Sequence, residues 1–242
     1  MDWLALPAQT FDWLDLRLAT WLPESARLVA WSTIAGLLAM LSYAALSPQR
    51  QIARVQHRLA QTQNELTGFD GDLSAALPLI GRMLRAAFAQ LGLVAGPSLI
   101  ALAPMVLMAG WIAQNYGYAF PPAQIPVMVR TAPDLLPAQW IPTSPYTRTP
   151  RVALSDPQGR PLGDIEIAKP VPVIQKRTWQ AALAGSPLGF LPDTLPVDRV
   201  EFELPAKQYL SWGPGWMRGW EFTYFSVLSI VALAIKQALR LR

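Results

Sequence analysis

The chain has 242 residues, of which 52% are hydrophobic and only 15% charged, with a net charge of +4. That balance argues against a purely soluble protein, because most of the apolar excess lies in three blocks rather than in a dispersed core pattern. Its basic residues are scattered instead of forming one stripe interleaved with aromatics, which argues against specific nucleic-acid binding, and the lack of cysteine excludes disulfides and thiolate metal sites.

The first 22 residues carry Asp2, Asp12 and Asp15 where a secretory signal needs a basic start. No small-residue cleavage site follows the first apolar block, so that block is expected to stay in the mature protein. Over 10–22, Phe11, Leu14, Leu18 and Trp21 or Leu22 share one helical face. The pattern predicts a short amphipathic helix in the membrane interface within an N-terminal segment, 1–25, although a helix packed on a partner fits it equally. Residues 28–46 then run without a charge. At ~1.5 Å of rise per residue they are long enough to cross a hydrocarbon core of roughly 30 Å, which predicts a first transmembrane helix over 26–47.

Between 48 and 96 apolar residues recur at helical spacing in two arms, with Gly68, Asp70 and Gly71 between them. An antiparallel helical hairpin is expected, with a seam through Ile52, Val55 and Leu59 of the first arm (and Leu66 further on) and Leu84 and Phe88 of the second, beside Leu73, Leu77, Ile80 and Leu91. Pro78 falls in the first turn of the second arm, where proline is tolerated. The lone histidine, His57, has no carboxylate or second ligand at helical spacing and reads as a solvated side chain. A second charge-free block, 98–116, predicts a transmembrane helix over 97–117. Its Met105 and Met108 read as packing residues, or as an adaptable apolar surface.

From 118 to 217 the character changes: 17 of the 23 prolines lie between Gly117 and Arg218. Val200, Phe202 and Leu204 alternate with Arg199, Glu201 and Glu203, the period of a half-buried strand. Asp156-Pro157-Gln158-Gly159 suits a type I turn joining strands at 151–154 and 164–167. A small antiparallel sheet or sandwich is expected, with a short helix around 179–184. Gly213, Gly215 and Gly219 do not open a helix after a strand and read as loop residues. The chain contains no GxSxG, P-loop or HExxH pattern. The expectation is a non-enzymatic protein without catalytic, cofactor-binding or metal-binding residues.

The last block, 219–239, predicts a third span and basic tail over 218–242, with Glu221 and Lys236 close enough to its ends to snorkel. Trp21, Trp31, Trp111, Trp212, Trp216 and Trp220 fall at block edges, as an interfacial aromatic belt requires. Arg50, Arg54, Arg58, Arg82, Arg85, Lys236, Arg240 and Arg242 outnumber the Arg17 and Arg27 of the N-terminal flank. The N-terminus is therefore expected outside, and the hairpin and C-terminus in the cytoplasm. The long 118–217 segment follows its neighbours outside. The fold class expected is an α-helical membrane protein with three transmembrane helices, a cytoplasmic hairpin and an inserted, mainly-β extracytoplasmic domain. Ser32, Ala35, Ala39 and Ser42 form a 3-4-3 stripe on the first span, while Thr223, Ser226 and Ser229 mark one side of the third. Such residues serve either close helix packing or a mildly hydrophilic groove.

Two stretches carry a further likeness. GPSLIALAPMVLMAGW at 96–111, followed by Tyr116, and WEFTYFSVLSIVALAIKQAL at 220–239 look like the second and third spans of the Oxa/YidC membrane-insertase superfamily. With the order of parts, the chain resembles that superfamily over 26–116 and 218–242, most closely the archaeal YidC-like proteins and the third subunit of the endoplasmic-reticulum membrane complex. The resemblance implies an insertase or membrane chaperone in the inner or plasma membrane of a prokaryote, with no cofactor. Its groove would be formed by Ser32, Ser42, Thr223, Ser226 and Ser229, and its partners would be lipid, nascent membrane proteins and the ribosome. Some bacterial members carry a groove arginine on the first span; here 28–46 has no charge and Arg27 lies at the outer edge, so any groove is uncharged. The alternative is a non-catalytic structural or accessory subunit of a larger membrane complex, docking through its outside domain. A channel or ion-coupled carrier is disfavoured because no ionisable residue sits mid-membrane.

Overall fold

A computed structural model of the protein describes residues 6–68, 73–133, 136–143 and 149–239. Along the chain these form α1 (Leu6–Leu18), α2 (Glu24–Leu46), α3 (Gln49–Thr67), α4 (Leu73–Tyr116), β1 (Val129–Ala132), β2 (Ala138–Ile141), β3 (Arg151–Ser155), β4 (Pro161–Glu166), β5 (Val173–Gln175), α5 (Trp179–Ala184), β6 (Arg199–Phe202) and α6 (Trp220–Ala238). It is a helical protein with a β region. Two compact units divide the chain, one of Met1–Ser32 and Leu107–Ser226, the other of Thr33–Val106 and Val227–Arg242.

In the first unit the strands form two three-stranded antiparallel sheets, in the orders β1-β6-β5 and β2-β3-β4. The alternation along 199–202 does what its period requires. Val200 and Phe202 are buried while Arg199 faces water and Glu201 is half-buried. They join Val152 and Leu154 of β3, Ile174 of β5, and Ile167 in one core. Trp140 of β2 meets Phe202 edge-on at 5.9 Å between ring centroids, so the aromatic pair links the two sheets. Each such buried side chain contributes about 1.5–3 kcal/mol, which is how a region so rich in proline still holds together.

Asp156 to Gly159 make the expected turn. Gly159 N–H donates to the Asp156 carbonyl at 2.9 Å, and Asp156 Oδ1 accepts from the backbone of Gln158 and Arg160. Gly159 itself has φ +80°, the left-handed residue that follows a type I turn in a bulged hairpin. Because the turn is this tight, β4 starts at Pro161 and ends at Glu166, earlier than the expected 164–167. The short helix lies where the sequence put it, at Trp179–Ala184, and the Thr178 hydroxyl caps it by accepting from Ala181 N–H at 3.2 Å.

α1 departs from expectation. It covers Leu6–Leu18 rather than 10–22, so Trp21 and Leu22 lie beyond it and Trp21 is exposed. Its buried side includes Ala8, and Phe11 packs edge-on against both Trp31 and Trp111 at 5.6 Å. Of the two uses the sequence allowed, packing is therefore met within the chain itself, while Trp13 and Leu16 point outward.

In the second unit α3 and the start of α4 are the two arms of the hairpin. Gly68 closes the first arm, whereas Asp70 and Gly71 lie outside the described residues, as do the side chains of Leu66 and Leu73. The second arm does not end before the second apolar block. One uninterrupted 44-residue helix holds both, with Pro78, Pro97 and Pro104 inside it, so no structural boundary falls at 96–97. At the other end of this unit, a Cβ on Gly36 of α2 would lie 3.1 Å from Val231 Cγ1 of α6. A small residue is thus what lets these two helices approach. Among the described residues two helices are long and apolar enough to cross a membrane, Glu24–Leu46 and Leu77–Tyr116, with mean hydropathies of 1.7 and 2.0. The 19-residue α6, carrying Glu221 and Lys236 near its ends, is not among them.

Candidate functional site

The expected seam of the hairpin is only partly present. Ile52 is fully buried and Val55 and Leu59 are half-buried, but Leu84 and Phe88 are 48% and 70% exposed. The face of α4 that is covered passes instead through Leu79, Met83, Ala86 and Gln90. Between the arms lies a crevice of about 440 Å³, walled by Val55, Arg58 and Thr62 on α3 and by Arg82, Arg85 and Ala86 on α4. The physical reason is that α4 is apolar on almost every side. Periodicity there cannot choose a face, and the short side chain of Ala86 lets α3 come near while Leu84 and Phe88 turn out. His57 is exposed.

The five hydroxyl residues differ in setting. Ser32 is fully buried, and its hydroxyl donates to the Leu28 carbonyl at 2.7 Å, the ordinary way a helical serine satisfies itself. Ser42, Thr223 and Ser226 are half-buried, and Ser229 is exposed. Thr223 Oγ1 is buried without a hydrogen-bond partner among the described residues. Ala35 and Ala39, which share the stripe of Ser32, are buried. Ser32, Thr223 and Ser226 belong to the first unit, Ser42 and Ser229 to the second.

The most highly built polar cluster was not foreseen. It belongs to the first unit and grows from two aspartates of α1, Asp12 and Asp15, which three-residue spacing puts on one helical face. Asp15 Oδ1 accepts from Trp31 Nε1 at 2.9 Å and from the Tyr116 hydroxyl, and its Oδ2 pairs with the Arg27 guanidinium. Asp12 Oδ1 accepts from Trp111 Nε1 at 3.0 Å. Beneath the carboxylates Trp31 and Trp111 meet edge-on at 5.0 Å, and Arg27 lies over the Tyr116 ring at 5.7 Å. A charge pair set among aromatic rings has little water to screen it, so these hydrogen bonds are stronger than exposed ones.

A second set of contacts extends the cluster to the β region. Lys169 donates to Asn115 Oδ1 at 3.1 Å and stands 4.0 Å from Asp12, while Lys207 pairs with Glu24. The Tyr209 hydroxyl lies 3.0 Å from Glu24 Oε1 and 2.9 Å from the Tyr116 carbonyl, and its one proton serves one acceptor at a time. Burial, reinforced by the Glu24 carboxylate, holds this phenol well above its ordinary pKa, so it stays a donor into alkaline solution. An open cavity of about 260 Å³ is lined by Asp12, Asp15, Glu24, Arg27, Lys169 and Lys207 among others. Three acids face three bases, and each acid has a basic partner. The arrangement ties α1, α2, α4 and the β region together.

Among the described residues no group of three His, Cys, Asp or Glu could hold a metal ion. The chain matches no protein-family model, and no curated protein or solved structure is similar to it. Sequence reasoning missed the cluster because its partners are far apart along the chain, Asp15 and Tyr116 by 101 positions. The available signal was two acids three residues apart, on one face of α1.

Proposed function

We propose that this chain is a non-enzymatic membrane insertase or membrane chaperone of the Oxa/YidC type, held in the inner or plasma membrane of a prokaryote by three spans, α2, α4 and α6. The N-terminus and β region lie outside, and the hairpin and C-terminus in the cytoplasm. The observation that carries the reading is Thr223, whose hydroxyl is buried without a partner on a helix that otherwise turns Phe225, Ile230 and Leu233 outward. An unsatisfied hydroxyl in an apolar setting is a binding opportunity for a polar segment, since leaving such a group unpaired costs about 1–3 kcal/mol. Two helices of sufficient length and a basic hairpin between them add support. Arg27 is engaged by Asp15. The groove of this reading is accordingly uncharged, with hydroxyls where some relatives of that type use an arginine.

A photo-crosslinker at Ser226, in the chain expressed in its own membrane, should capture short membrane proteins during their synthesis. Leucine at Thr223 and Ser226 together should abolish insertion of those clients at an unchanged level of the protein, because the groove is then filled. Constant crosslinking to one resident neighbour, with insertion intact in a deletion strain, would exclude the insertase. It would instead favour an accessory subunit of a larger membrane complex, which the outward Trp179, Trp212 and Trp216 of the first unit would suit as a docking surface.

A further inference from the structure

The apolar part of α4 is too long for one crossing. Leu77–Tyr116 is 40 residues, and at ~1.5 Å per residue it measures about 60 Å against a hydrocarbon core of roughly 30 Å. The excess is not buried in the protein. Leu77, Leu84, Phe88 and Leu91 are 61%, 48%, 70% and 63% exposed. At 3.6 residues per turn they fall within an arc of about 60°, and the same arc continues through Leu99 and Val106, which are also exposed. One stripe therefore runs from the apolar block of α4 down the hairpin arm without a break. α4 has no acidic residue; of its two charges Arg85 borders the stripe, about 90° round the helix from its centre, while Arg82 lies further round, in the crevice toward α3.

We propose that the first third of α4 rests in the interfacial layer of the bilayer, with Leu77, Leu84, Phe88 and Leu91 among the acyl chains and Arg85 at the phosphates of anionic lipids. The stripe is continuous with the surface that faces lipid wherever α4 crosses, so acyl chains are the occupant that needs no change of partner along the helix. Charge decides the rest. Arg85 beside an apolar face, on a helix with no acidic residue, suits an anionic surface. Pro97 cannot donate a backbone hydrogen bond, and Gly92 and Gly96 stand just before it with nothing within 4 Å of where a Cβ would be. The helix has its natural place to bend there.

This inference rests on α4 crossing a membrane, and it does not depend on insertase activity. The chain has no cysteine, so single cysteines at Leu84, Phe88 and, as a control on α3, Gln63 can carry an environment-sensitive fluorophore. The full chain is reconstituted in phosphatidylcholine vesicles with and without phosphatidylglycerol. Resistance to alkaline carbonate extraction reports integration separately. The expected result is blue-shifted emission at 84 and 88, quenched by lipids spin-labelled near the headgroup, while 63 is quenched by aqueous iodide. R85E should lose the part of that quenching that depends on phosphatidylglycerol. Iodide quenching at 84 and 88 in chains that resist extraction would overturn the inference while leaving the spans intact. Shielding from both quenchers, with crosslinking between cysteines at 84 of two copies, would overturn it in favour of a self-associating face. Release by carbonate would remove the membrane reading altogether.

Discussion

Asp15 shows how much one side chain can organise. Its carboxylate gathers an indole N–H, a phenol and a guanidinium from α2 and α4 onto α1, and the Asp15 and Arg27 side chains are each only 15% exposed. Removing one partner of so enclosed a pair leaves the other charge uncompensated, which is worse than never having had the pair. Asp15→Ala should therefore destabilise the first unit by about 3–5 kcal/mol. The loss would appear in detergent as a fall in melting temperature with earlier proteolysis of α1. Asp15→Asn should lose less, because its amide oxygen can still accept from Trp31. If Asp15→Ala melts with the unmodified chain, the cluster is decoration and α1 is held by Phe11 and Ala8 alone.

At the level of elements, the hairpin separates amphipathic pattern from packing. Ile52 is buried and Phe88 is not, although both recur at the same helical spacing. Placing a charge at 52 would put it where neither water nor a partner waits, so Ile52→Asp should cost several kcal/mol, on the order of the penalty for an unpaired buried charge. Phe88→Asp in the detergent-solubilised chain should change stability by only about 0.5 kcal/mol, as exposed substitutions usually do. Limited proteolysis at the arms, read with thermal melts, compares the two directly. Equal sensitivity would mean that Phe88 is covered within the chain, contrary to the structure. The N-terminal helix teaches the same point from the other side: its large apolar residues, Trp13 and Leu16, face outward, and its inward face is made with Ala8, Phe11 and two carboxylates.

For the whole molecule, the decisive quantity is the distribution of arginine and lysine about the apolar blocks. The hairpin and C-terminal tail hold eight basic residues against two on the N-terminal flank, and the proposed orientation rests on the tendency of such an excess to keep short loops in the cytoplasm. A cysteine placed at Asn64 should be labelled only from the cytoplasmic side, and one at Gln158, in the β-turn, only from outside. Labelling in the opposite sense would invert the orientation and with it the assignment of the β region. The β region also has an apolar core of its own. The β core, from Val127 to Leu204, is enclosed by its own strands and turns.

What could be read from the sequence alone was whatever depends on near neighbours. The bounds of α3, the Asp156 turn, the alternation of β6 and the short α5 are each set by residues a few positions apart, through caps, turn chemistry and side-chain period. The two long apolar helices follow from length and hydropathy in the same way. Tertiary structure alone decided three things. The second hairpin arm and the second apolar block join through Pro97 into one helix, where the proline and the glycines before it had marked a boundary at 96–97. The covered face of α4 is chosen by where α3 approaches, because a helix apolar on nearly every side has no preferred face of its own. The closure of α1 on Trp31, Trp111 and Tyr116 joins residues up to 101 positions apart. Hydrogen bonds at that separation leave no periodic trace in a sequence, because their partners are brought together only by the packing of the helices that carry them.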